Sequence, residues 1–215
     1  MNERYREDYL GEYVITKIII KNGNKKQIRE WIDNPLTIKQ TSNRATCISE
    51  SHTIKDTFYK QIQNSNGGNL GKLKMQVYGV DSICNKMTAD FIICKDQKLL
   101  EYMIKTGYTQ KSIAYTSASN CIKYPGEFYL IPYNMSMNTH ALAVWLACFD
   151  GHKEIFIVGY DHSNEKINNT VSQVMKIYNN VKFRQISNSG SPHEWKQLRN
   201  FATLTKQEYI SLTDI

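Results

Sequence analysis

Residues 138–162 read NTHALAVWLACFDGHKEIFIVGYDH, and the order of events in this stretch decides the fold class. Asn138 or Thr139 can cap a helix by accepting a bond from a backbone N–H further along. From there to Phe149 the chain is apolar on nearly every side, the pattern of a helix that is buried all round. Gly151 suits the left-handed position at which such a helix stops. The run after Glu154, IFIVG, is a continuous apolar stretch of strand length, as expected of a strand covered on both faces in a parallel sheet. A buried helix followed directly by a doubly covered strand implies an α/β architecture. Asp161 and His162 close the run. Charge at the end of a buried strand is costly unless it is paired or faces a crevice, so both are candidate site residues.

Working outward, short apolar runs alternate with helical stretches from Arg44 onward. Strands are expected in RATCI (44–48), MQVYG (75–79), ADFIICK (89–95), SIAYTS (112–117) and EFYLIPY (127–133), with VKFRQI (181–186) as the last, nearer an edge. Between the first two, SESHTIKDTFYKQI carries Ile54, Phe58 and Ile62 on one helical face, with Ser51 or Thr53 as its cap. A helix entered near Asp96 presents Leu99, Leu100, Met103 and Ile104 and stops at Gly107. HEWKQLRNF and KQEYISL are amphipathic pieces expected to pack over one sheet face. The fold expected is a Rossmann-like, mainly parallel sheet flanked by helices, spanning residues 44–215.

Residues 1–43 differ in kind. In EYVITKIIIKNGNKKQIREWIDNP (12–35) two β-rich runs flank Asn22-Gly23, the dipeptide that most readily supplies the positive φ angles of a tight hairpin turn. The hairpin is expected either to extend the edge of the main sheet or to serve as an arm toward a partner.

Composition narrows the function classes. The chain has 215 residues, 41% of them hydrophobic, enough for one fully cored domain. No stretch reaches the roughly 18 apolar residues of a membrane helix, and MNERYREDY lacks the apolar centre of a secretion signal. Five widely spaced cysteines suit reduced core thiols more than a disulfide framework. A formal charge of +7 favours anionic partners: phosphorylated small molecules, nucleic acid or an acidic protein surface. GxSxG and HExxH are absent, and the five histidines show no metal-ligand spacing, so neither a metal nor a cofactor is expected.

In open α/β sheets ligands bind beyond the carboxyl ends of the strands, where loops and helix N-termini converge. Collecting those ends gives Ser49, Ser51 and Thr53 after the first strand, Asp81 after the second, Asp96 after the third, Thr139 and His140 before the long helix, and Asp161 with His162. His162 or His140 is the candidate proton carrier. The others are candidates for contact with a substrate or nucleotide.

The block NTHALAVWLACFDGHKEIFIVGYD, with ATCISESHTIKD, VYGVDSI and ADFIICKD upstream, resembles family 42 glycosyltransferases, the bacterial sialyltransferases, and the related 6-hydroxymethylpterin pyrophosphokinase-like proteins. The similarity runs from about Arg44 to Ile186. Where the family has glycines and asparagine in the first loop, this chain has Ser49, Glu50 and Ser51, and Asp81 stands where the family has a nucleotide-contacting asparagine. The resemblance implies a transferase using a nucleotide-activated donor, with Ser49, Ser51, Thr53 and Thr139 near phosphate, and Asp81 and Asp96 near base or ribose. GEYVITK, REWIDNP, YPGEFYLIPY and CFDGHKEIF resemble uncharacterised proteins of marine tailed phages. That implies a viral protein in the cytoplasm of the infected host cell, or in the virion. The alternatives are a non-catalytic virion or host-interaction protein reusing the fold, and a nucleic-acid-binding protein.

Overall fold

Asn22 and Gly23 both adopt positive φ, 52° and 77°, and so close a tight turn between β1 (Gly11–Lys21) and β2 (Asn24–Asp33). The structure is a computed structural model that describes residues 2–34, 42–66, 75–134, 136–160, 164–187 and 190–213. In it the hairpin is a two-stranded antiparallel sheet separate from the main one. The expectation that it extends an edge of the main sheet is therefore corrected. One physical reason is that an outer strand of the main sheet, Tyr129–Leu130, is two residues long and offers almost no ladder for a long strand to join.

The body follows in alternation: β3 (Arg44–Ile48), α1 (Asp56–Asn66), β4 (Gln76–Val80), β5 (Phe91–Ile93), α2 (Gln97–Lys105), β6 (Ile113–Thr116), α3 (Ala118–Lys123), β7 (Tyr129–Leu130), α4 (Thr139–Phe149), β8 (Glu154–Val158), α5 (Glu165–Ile177), β9 (Lys182–Ile186), α6 (His193–Lys196), β10 (Phe201–Leu204) and α7 (Lys206–Thr213). Eight of the strands form one sheet in the order β10-β9-β8-β3-β4-β5-β6-β7, every neighbouring pair parallel. The α/β class with a Rossmann-like parallel sheet is thus observed.

Strand alternation sorts the apolar side chains into two cores. Ala45, Cys47, Tyr78, Val80, Ile155 and Ile157 point to the side covered by α4 and α5. Ile48, Val77, Ile92, Phe156 and Val158 point to the side covered by α1, α2 and α7. Nine consecutive residues of α4, Ala141–Phe149, are buried, which accounts for its lack of a polar face. The Asn138 side chain caps it, accepting from the Ala141 N–H at 2.8 Å. Asp96 caps α2 in the same way, 3.0 Å from the Leu99 N–H.

Three local expectations are corrected. Helix α1 begins at Asp56 and is not capped by Ser51 or Thr53, because the Ser51 hydroxyl closes a turn with the Thr53 hydroxyl and N–H. EFYLIPY contributes only two residues to a strand. VKFRQI is not the last strand: β10 lies outside it. The helix in HEWKQLRNF ends at Lys196, and the Asn200 amide donates to the carbonyls of Met175, Tyr178 and Val181, pinning the chain where β10 begins.

Residues before the arm pack on the body. Arg6 is buried and ion-paired to Asp150, and it also donates to the Tyr115 hydroxyl at 2.9 Å. Tyr78 donates to the other Asp150 oxygen at 2.6 Å and lies 3.0 Å from His152 Nε2. This network stands at the amino ends of the strands, since Asp150 and His152 immediately precede β8. Among the described residues no helix is long and apolar enough to cross a membrane.

Candidate functional site

The chain leaves β3 to build β4 through β7 on one side, then returns to lay β8, β9 and β10 on the other. The seam between β3 and β8 is therefore the topological switch point, where flanking loops diverge and leave an opening. A cleft of about 670 Å³ lies there. Its walls are the loop Glu50–Lys55, Gly159 and Tyr160 after β8, and Gln185–Ser187 at the end of β9, with Phe58 of α1 and Lys206 of α7 at one side.

Two backbone facts shape this opening. Gly159 has φ +75°, and a Cβ there would overlap the carbonyl oxygen of Ser49, so only glycine lets the two strand ends approach this closely. Tyr59 of α1 receives the Ser51 N–H on its hydroxyl at 2.9 Å and donates to the Ser49 carbonyl at 3.2 Å. The first loop is thus held by an aromatic post and not by a glycine-rich turn.

The polar lining is selective. Ser51, Thr53 and Ser187 bring hydroxyls, His52 an imidazole, and Lys55 and Lys206 cations. Two acids close by, Glu50 and Asp56, are drawn to Lys86, at 3.8 and 3.3 Å, which tempers their repulsion of an anionic ligand. Gln185 is only 2% exposed, yet its side-chain carbonyl oxygen has no hydrogen-bond partner among the described residues. A buried acceptor left unmade costs roughly 1–3 kcal/mol, and Gln185 is one of the residues that line the cleft.

Behind the cleft, toward α4, runs a second polar line. Ser49 Oγ lies 2.9 Å from His140 Nε2. The Tyr160 hydroxyl donates to the His140 carbonyl at 3.0 Å, and Thr139 donates to Asp81. Burial pulls His140 down to about 4, so the ring is neutral at pH 7 and can serve as a hydrogen-bond acceptor or donor without charge. Burial raises Asp81 above the usual carboxylate value, with the Thr139 hydroxyl opposing it. Asp81 also holds a left-handed backbone, φ 46°, an uncommon conformation for a non-glycine residue.

The sequence-derived candidates therefore divide. Ser51 and Thr53 line the cleft. Ser49, His140, Thr139 and Asp81 join in the part-buried line beside it. Asp96 stands apart as the cap of α2. Asp161 and His162 lie outside the described residues. Gln185, Lys206, Tyr160 and Lys55 are lining residues that sequence reasoning did not single out, and His52 lies within the first strand-end loop without having been given a role. Gln185 had a signal, because collecting strand ends at VKFRQI as well would name it; Lys206 had none, since its place depends on β10. Among the described residues no group of three His, Cys, Asp or Glu side chains could hold a metal ion.

No family model, curated protein or solved structure matches the chain significantly. Any functional reading rests on the residues of the site.

Proposed function

We propose that the switch-point cleft binds a phosphorylated small molecule of the nucleotide-activated donor class, and that the chain is a glycosyltransferase-like enzyme transferring a group from it. One observation carries the reading. Gln185 lines the cleft and its buried side-chain carbonyl oxygen has no partner among the described residues; in this reading it receives an N–H or O–H donor of the ligand, such as the edge of a base. Lys55 and Lys206 supply charge for a phosphate, and the hydroxyls of Ser51 and Thr53 supply donors. His140, in this reading, positions Ser49 and Tyr160, and His52 is the imidazole that faces the ligand.

Titration calorimetry and thermal shift with cytidine, uridine, guanosine and adenosine nucleotides and their sugar conjugates test this. Saturable binding to one series is expected, and silence across all four removes the reading. Gln185→Leu separates ligand recognition from scaffolding by sign. It relieves an orphaned acceptor, so the unliganded protein should gain about 1 kcal/mol, while affinity for the ligand should fall at least tenfold. A variant that loses stability instead would show that Gln185 serves packing. The alternatives, a non-catalytic virion or host-interaction protein and a nucleic-acid binder, draw on the arm and the basic surface and not on the cleft.

A further inference from the structure

The arm exposes more apolar surface than a free hairpin needs. Opposed residues in an antiparallel ladder share a face, so the register places Tyr13 with Trp31, Ile15 with Arg29, Ile18 with Gln27, and Ile20 with Lys25 on one face. Ile18 and Ile20 reach that face only because Thr16 is an extra residue, the register shifting between Ile15 and Lys17. In an unbroken strand, even-numbered side chains would point opposite to Tyr13 and Ile15. The bulge thus assembles one continuous stripe, Tyr13, Ile15, Ile18, Ile20 and Trp31, whose members are 68, 46, 50, 72 and 41% exposed. A contiguous exposed patch of this kind marks an interaction site.

Charge along the arm is polarised. From Tyr13 to Arg29 there are Lys17, Lys21, Lys25, Lys26 and Arg29 and no acid, whereas the root carries Glu12, Glu30 and Asp33. On the stripe face itself Asp33 stands at the root, opposite Gly11, Arg29 at the middle, opposite Ile15, and Lys25 near the tip.

We propose that the arm docks on the arm of a second copy of this chain, stripe against stripe and antiparallel, about a two-fold axis. That arrangement sets Lys25 of each copy beside Asp33 of the other, two attractive pairs that flank the Arg29 side chains meeting at the axis, and the same patch serves both copies, as a two-fold contact requires. A parallel arrangement would bring the two cationic tips together. An anionic bilayer or a nucleic acid would match the tip but would meet Asp33 on the same face and the acids at the root. Eleven residues at ~3.3 Å give an arm of roughly 36 Å, and with a width of ~10 Å two such faces bury about 700 Å². Stable interfaces need about 1,200–2,000 Å², so the dimer is expected to be concentration-dependent and not obligate.

Sedimentation or light scattering on the full chain over a wide concentration range tests this without any ligand, so its outcome is independent of the cleft. A monomer–dimer equilibrium is expected. Ile18→Thr with Ile20→Thr should abolish it, and so should deletion of Thr16, which turns both isoleucines away. Lys25→Glu should weaken association at least tenfold, and adding Asp33→Lys in the same chain should restore it. An unchanged thermal midpoint for each variant shows the body intact, since the altered side chains are exposed. A monomer at all concentrations, a dimer indifferent to the threonine pair, or failure of the charge swap to restore association overturns the proposal. So does a chain that stays monomeric while binding anionic vesicles or duplex DNA through the arm.

Discussion

At the scale of single residues, ionisable groups that are buried or partly buried set how the protein responds to acid. His140 titrates at about 4 in the folded chain because burial disfavours its charged form, against an ordinary value near 6.5. As pH falls, the unfolded chain takes up the proton first. Stability is therefore full above about 6.5 and is lost down to about 4, by roughly 2 kcal/mol after allowance for partial exposure. His152, also depressed by burial, acts with the same sign; Asp81, raised by burial, acts with the opposite one. Urea unfolding at neutral pH and at the acid end of that window should show His140→Asn losing less stability than the wild type. Arg6 offers a second test. Burial works against its charge, but Asp150 and Tyr115 hold it protonated. Arg6→Ala leaves Asp150 buried without its cation and should cost about 3–5 kcal/mol, whereas Arg6→Met combined with Asp150→Asn should recover much of that loss.

At the scale of elements, the join between β3 and β8 depends on one glycine. Gly159→Ala puts a methyl group onto the Ser49 carbonyl in addition to the left-handed strain. Gly126 has a similar φ, +81°, but open space around it, so Gly126→Ala isolates the strain alone, about 1–2 kcal/mol. Urea unfolding should show Gly159→Ala costing more than twice as much. Much of this level was legible beforehand. The cap at Asn138, the helix start near Asp96, the stop at Gly107 and the turn at Asn22-Gly23 are local chemistry, so residue type alone announces them. The start of α1 and the existence of β10 were not legible. Ser51 spends its hydroxyl within its own turn, and β10 depends on Asn200 reaching carbonyls of Met175, Tyr178 and Val181, a tertiary contact with no local pattern. The site was read by half for a related reason: the rule of strand ends finds the rim, but which rim residues face the cleft and which turn toward α4 is decided by side-chain packing.

At the scale of the whole molecule, the arm and the cleft answer to different physics. The cleft is shaped by the sheet's strand order, the arm by a turn and a bulge within residues 11–33, and Val14 is the one buried residue in either arm strand. The strand order also has a temporal side. Parallel neighbours cannot be joined by a tight turn, and Arg44 must find Glu154, 110 positions along the chain, before the middle of the sheet is continuous. Long-range closures of that kind are slow, because chain entropy is lost before any contact compensates it. The β4–β7 half can pair outward from β3 in chain order, but the wall formed by Gly159 and Gln185 must await the second half of the polypeptide. The cleft is therefore among the last features to mature during synthesis or refolding, and a partly made chain lacks it.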